Sequence, residues 1–185
     1  MVYFTGDIHG LPFYVKRFSI KHKLARDDTI VLLGDVGANY YQNGSDECVK
    51  ATLSSIKPTV LCIHGNHEMR PWNVDGYHLM EWNGGLVYVQ DKYPSLLFAK
   101  DGEIYTIDGL KYIAIGGAYS VDKFYRLRNG HKWFDDEQPS QEIKDYVEKK
   151  LNKLRDWHER EKRYFLSYSS IIRLNTSQER NLCQI

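Results

Sequence analysis

Cysteine is scarce in this 185-residue chain, and what there is does not pair. Cys48, Cys62 and Cys183 make an odd number, with none of the close spacings of a thiolate metal site. A disulfide framework and a Cys-built structural zinc site are excluded as the basis of the fold. No apolar run reaches the roughly 20 residues needed to cross a bilayer, and the N-terminus lacks the basic lead and apolar stretch of a secretory leader. A reducing, cytoplasmic location is therefore expected. Net charge is also lacking: 25 Lys and Arg against 24 Asp and Glu leave +1, so neither nucleic acid nor an anionic membrane is expected as the main partner. Glycine and proline run out early, since none of the 14 glycines lies beyond Gly130 and no proline beyond Pro139. The final stretch is without the usual turn punctuation.

Apolar residues, at 42%, are enough to build one core without covalent staples. No repeat or low-complexity linker divides the chain, so a single domain is expected over 1–185, with 156–185 as a divergent tail. Cys62, inside "TVLCI", reads as a small buried hydrophobe.

Three short apolar runs, "VYFT", "TIVLLGD" and "TVLCIHGN", each end at a glycine accompanied by Asp, Asn or His. Between them, residues 12–25 begin with Pro12 and carry Phe13, Val15, Phe18 and Ile20, and residues 45–57 open on an acidic "SDE" with Ser45 placed to cap. Strand and helix alternate, which predicts βαβ units and a largely parallel, buried sheet. Beyond residue 85, "GLVYVQ", "SLLFA", "EIYTI" and "KYIAIGGAY" are β-rich runs broken by "DG" turns, which predict antiparallel hairpins. A helix follows in "PSQEIKDYVEKKLNKLRDWHEREKR", with Ile143, Val147, Leu151 and Leu154 at helical steps and its basic residues on a solvated face.

The ends of the three early strands carry the chemistry. In an open α/β sheet, ligands bind beyond the carboxyl ends of the strands, where loops converge. "TGDIHG" puts Asp7 and His9 there, two apart, so an extended backbone would aim both to one side. "LLGDVG" adds Asp35, and "IHGNHE" adds Asn66 and His67. Carboxylate, imidazole and amide oxygen without thiolate suit manganese, with iron or zinc as alternatives. A carboxylate between two strands can bridge two divalent cations, which in two-metal sites stand about 3.5–4 Å apart.

"GDIHG", "GDVG" and "GNHE", in that order, resemble the first three motifs of the calcineurin-like metallophosphoesterases, the first and third in the forms found in phosphoprotein phosphatases. "GGAYSVDKFYRL…WFDDEQPS" is also similar to a segment of bacterial and phage members, which extends the likeness over roughly residues 1–140. The resemblance implies an α/β fold, the αββα sandwich of that family, incomplete at its C-terminal side. It implies two divalent metals, with Asp7, His9 and Asp35 on one, Asp35 and Asn66 on the other, and Asp35 bridging. His67 would stabilise or protonate the leaving oxygen, a task for which an imidazole is suited. A phosphate ester, monoester or diester, is the implied substrate.

The chain also departs from the pattern. Ala38 and Asn39 stand where phosphoprotein phosphatases carry an acid and an arginine, so the nearest cation placed to grip phosphate is Arg70. The family completes its site with a later strand-borne His and a Gly-His-x-His pair. After His67 the chain has only His78, His131 and His158, none behind an apolar run. The tail "YFLSYSSIIRLNTSQERNLCQI" matches no motif. The expectation is a chain truncated relative to a full-length enzyme, with a frame change near 155–165. The alternative to an active phosphoesterase is then an impaired remnant acting only through metal or protein binding.

Overall fold

Each central strand splits its side chains between two cores. In β2 (Thr29–Leu33), Ile30 and Leu32 face one way and Val31 the other. In β3 (Thr59–Ile63), Val60 and Cys62 oppose Leu61 and Ile63, and in β6 (Leu96–Ala99), Leu96 and Phe98 oppose Leu97 and Ala99. A period of two with apolar residues at both phases requires a sheet covered on both faces.

The structure, a computed structural model, describes residues 1–155, 163–167 and 170–174. The larger sheet adds β1 (Val2–Thr5), β4 (Tyr77–Trp82) and β5 (Gly85–Gln90), in the order β1-β2-β3-β6-β5-β4. β1, β2, β3 and β6 are parallel, and the β4–β5 hairpin joins antiparallel. One face packs on α1 (Phe13–Lys21) and α2 (Gly44–Ser54), through Val15, Val49 and Leu53. The other face meets a second sheet of β7 (Ile104–Ile107), β8 (Leu110–Ile115), β9 (Arg163–Ser167) and β10 (Ser170–Leu174), through Tyr105, Ile107, Tyr112 and Ala114. α3 (Lys123–Arg128) follows β8, and α4 (Gln141–Arg155) sets Tyr146 and Val147 against the turn at Gly102 that opens the second sheet. Helices and facing sheets give the α/β sandwich expected from the sequence.

Two details differ from expectation, the cap of α2 and the strand β4. The cap of α2 is Asn43, whose side chain accepts from the Ser45 N–H at 2.9 Å; Ser45 lies inside the helix. Asp46 accepts from the N–H groups of Tyr41 and Gln42, which fixes the loop before the helix. β4 has no counterpart in the sequence reading, because it is an edge strand whose central residues are all exposed. Within the stretch expected to be a divergent tail, β9 pairs parallel with β8 and antiparallel with β10; the rest of that stretch, His158 included, lies outside the described residues. Among the described residues no helix is long and apolar enough to cross a membrane.

Candidate metal centre and active site

β1 and β2 end, but their backbones stay paired. The N–H groups of Asp7, His9 and Gly10 donate to the carbonyls of Gly34, Asp35 and Val36 at 3.2, 2.8 and 2.9 Å. This pairing follows a turn, so the extended backbone expected from Asp7 to His9 is not what forms. Asp7, His9 and Asp35 take left-handed φ values of 52°, 41° and 46°, a conformation that costs non-glycine residues energy and gathers at functional sites. Two glycines make the crossing possible. A Cβ on Gly37 would stand 2.5 Å from Gly10 N, and one on Gly65 would stand 2.1 Å from Asp35 Oδ1.

Asp35, 1% exposed, is the hub. Its Oδ1 accepts from the His67 N–H at 3.0 Å; its Oδ2 lies 3.3 Å from His67 Nδ1 and 3.8 Å from His9 Nε2. One ligand atom from each of His9, Asp35 and His67 falls within 4.8 Å of the others. These three side chains border a cavity of about 220 Å³, whose remaining wall includes Tyr40, Tyr41 and Arg126.

The other expected site residues are placed differently. Asp7 is exposed and stands outside that group. Asn66 is buried; its Nδ2 donates to Ser120 Oγ at 2.6 Å, and its Oδ1 has no hydrogen-bond partner among the described residues. Arg70 does not border the cavity. It is 1% exposed, its Nη1 is 2.6 Å from Asp101 Oδ2, and its Nε donates to the Asp136 carbonyl at 3.0 Å. Ala38 and Asn39 are fully buried, and Asn39 Oδ1 accepts from the Tyr77 hydroxyl.

Beneath the loops lies Glu68, fully buried, with Oε1 accepting from the N–H groups of Gly65 and Val36. Burial pushes its carboxyl up to about 7; the Asp35 charge adds to the rise, and the N–H groups restrain it. His64 is also buried, and burial, aided by the Arg70 charge, holds its imidazole neutral by lowering its pKa well below the usual value.

Sequence reasoning missed what α3 brings. Asp122 Oδ1 lies 3.6 Å from His67 Nε2, on the side of the ring away from Asp35. Arg126 Nη2 donates to the Tyr40 hydroxyl at 2.9 Å, and its Nη1 is 3.5 Å from both Asp122 Oδ2 and His67 Nε2. The segment is held in place through Glu137, which accepts from Ser120 N and Trp133 Nε1. A signal was present: "IAIGGAYSVD" repeats the pattern of an apolar run, glycine and then polar residues that marked the first three strand ends.

The donor set is nitrogen and oxygen only, gathered around one buried carboxylate, and the amide oxygen of Asn66, next in the chain to His67, has no partner among the described residues. That chemistry fits a divalent cation. The sequence profile of the calcineurin-like phosphoesterase family matches residues 1–170, and the chain belongs to that family. No curated protein matches it. Among solved structures it is similar to AQ665, a protein of unknown function from Aquifex aeolicus, at 12% identity, over 83% of this chain and 98% of that one, with a TM-score of 0.29, too low to bear on the site.

Proposed function

We propose that this chain hydrolyses phosphate esters by attack of water at a dinuclear centre of divalent metal ions, manganese first among them. Asp7, His9, Asp35 and Asn66 would hold the ions, with Asp35 shared. Bound there, such ions supply Lewis-acid polarisation of a phosphoryl oxygen and lower the pKa of bound water. The protein's own residues do the rest. Asp35 keeps the His67 ring in one orientation through contacts to its N–H and Nδ1. His67 Nε2, on the opposite edge, delivers a proton to the leaving oxygen. Tyr40 and Tyr41 wall the cavity. The free thiols of Cys48, exposed, and Cys62, buried, among the described residues are in keeping with a cytoplasmic setting.

The observation that carries the reading is the convergence of His9, Asp35 and His67 from three separate strand ends on one cavity. The test measures metal content and hydrolysis of an aryl phosphate with added manganese. Two ions per chain and turnover abolished in Asp35→Asn support it. A second reading, an impaired remnant that binds metal without turnover, draws on the converging set itself, which among the described residues takes no side chain from the second sheet. At most one ion and no hydrolysis would favour the remnant.

A further inference from the structure

We propose that Arg126, carried on α3, is the residue that grips the phosphoryl group in this cavity, an assignment that rests on the phosphoesterase reading of the site. A phosphate oxygen needs a cation with unspent donors facing the cavity, and the candidates differ in what they have left. Arg70 is buried against Asp101 and the Asp136 carbonyl and borders no part of the cavity. Lys132 places its Nζ between the carbonyls of Tyr40 and Tyr41, at 3.0 and 3.1 Å. Lys123 lies over the Trp133 ring at 3.7 Å. Arg126 alone among these cations lines the cavity beside His9, Asp35 and His67.

Its donors are divided in a way that suits the task. A guanidinium has five N–H groups in a rigid fork. Nε is spent on the Lys132 carbonyl and one Nη2 hydrogen on the Tyr40 hydroxyl, both at 2.9 Å, so the plane of the fork is set before any ligand arrives. Nη1 has only two contacts among the described residues, Asp122 Oδ2 and His67 Nε2, each at 3.5 Å and beyond ordinary hydrogen-bond length. Both Nη1 hydrogens and the second Nη2 hydrogen are left to meet two oxygens of one phosphoryl group in the bidentate manner that favours arginine over lysine. The Nη1 contact to His67 Nε2 places the gripped phosphorus next to the proton donor proposed above.

The test compares wild type with Arg126→Ala, Arg126→Lys and Tyr40→Phe. Binding of inorganic phosphate is followed by calorimetry, and hydrolysis of p-nitrophenyl phosphate is followed in parallel with manganese present. We expect Arg126→Ala to weaken phosphate binding and raise KM at least tenfold, and Arg126→Lys to recover only part of the loss. Tyr40→Phe keeps the charge and frees the fork, and should raise KM about threefold with an unchanged thermal midpoint; it decides the matter if Arg126→Ala does not fold. Phosphate binding and KM within twofold of wild type in Arg126→Ala, or in Tyr40→Phe where Arg126→Ala does not fold, would overturn the proposal, as would a wild type that binds no phosphate. A wild type that binds phosphate through Arg126 but hydrolyses nothing would sink the hydrolase reading and leave the grip standing.

Discussion

One residue holds Asp35 twice: the His67 N–H donates to Oδ1 at 3.0 Å, and the His67 ring Nδ1 stands 3.3 Å from Oδ2. The β3 loop is thereby locked to the β2 loop through a single carboxylate. The lock depends on Gly65, where an added Cβ would overlap both Asp35 Oδ1 and Asp35 N at 2.1–2.2 Å. Gly65→Ala should cost about 2–3 kcal/mol in urea unfolding and displace the carboxylate, lowering metal affinity more than about tenfold. Wild-type affinity in a folded Gly65→Ala variant would refute this.

Glu68 ties the same two loops from below. Replacing it by Leu removes the acceptor from two N–H groups, those of Gly65 and Val36. Glu68→Leu should lose roughly 2–4 kcal/mol at pH 7, whereas Glu68→Gln keeps a carbonyl oxygen in place and should lose about 1 kcal/mol or less. Chemical denaturation of the two variants side by side checks the order.

Arg70 and Asp101 form a buried pair, with Gly116 N also donating to Asp101 Oδ1 at 2.7 Å. Burial pushes the Asp101 carboxyl up, and Arg70 opposes that rise. Arg70→Met should therefore destabilise by about 3–5 kcal/mol by stranding the carboxylate, and pairing it with Asp101→Leu should restore much of the loss. Because Arg70 does not border the cavity, KM of the folded double variant should stay within twofold of wild type. A large rise in KM would return Arg70 to the substrate site.

Acid should loosen α4 through Glu103. Its oxygens take Tyr146 Oη at 3.0 Å and Lys150 Nζ at 3.2 Å, both from α4. Burial raises its pKa, but the hydrogen bonds and charges of Lys150, Tyr146 and Lys100 outweigh that and leave it below the ordinary glutamate value of 4.5. A depressed carboxylate contributes its full stability above the unfolded-state pKa and loses it as pH falls through the folded value. Glu103→Gln should thus be less stable than wild type at pH 7, by about 1 kcal/mol after allowing for solvent screening, and the gap should close below pH 4.5. Denaturation midpoints across that range give the answer.

The cores and the three strand ends were legible because they are local: apolar runs at alternating phase, each closed by glycine and a polar residue. His9, Asp35 and His67 meet because parallel neighbours bring successive strand ends to one edge, a rule that needs no coordinates. The dihedrals of Asp7 and His9 were not legible, since the turn they follow is imposed by the carbonyls of another loop. Arg126 was missed for a similar reason. Its helix is short and has no buried residue, so no amphipathic pattern announces it, and the segment is closed by a contact between Ser120, before the helix, and Glu137, beyond it. Arg70 follows "GNHE" in the chain, and it lies buried against Asp101 without bordering the cavity, because a neighbour in sequence does not decide which way a side chain is buried.

The continued pairing of residues 7–10 with 34–36 has one more consequence. The loops that carry His9 and Asp35 are ordered by the same cooperative event that forms the sheet. The entropy lost in shaping the cradle is therefore charged to folding, and an arriving ion or phosphate meets donors already fixed in place. Binding at this site should be quick to register and slow to forgive displacement, because the loops can yield only by fraying the strands behind them.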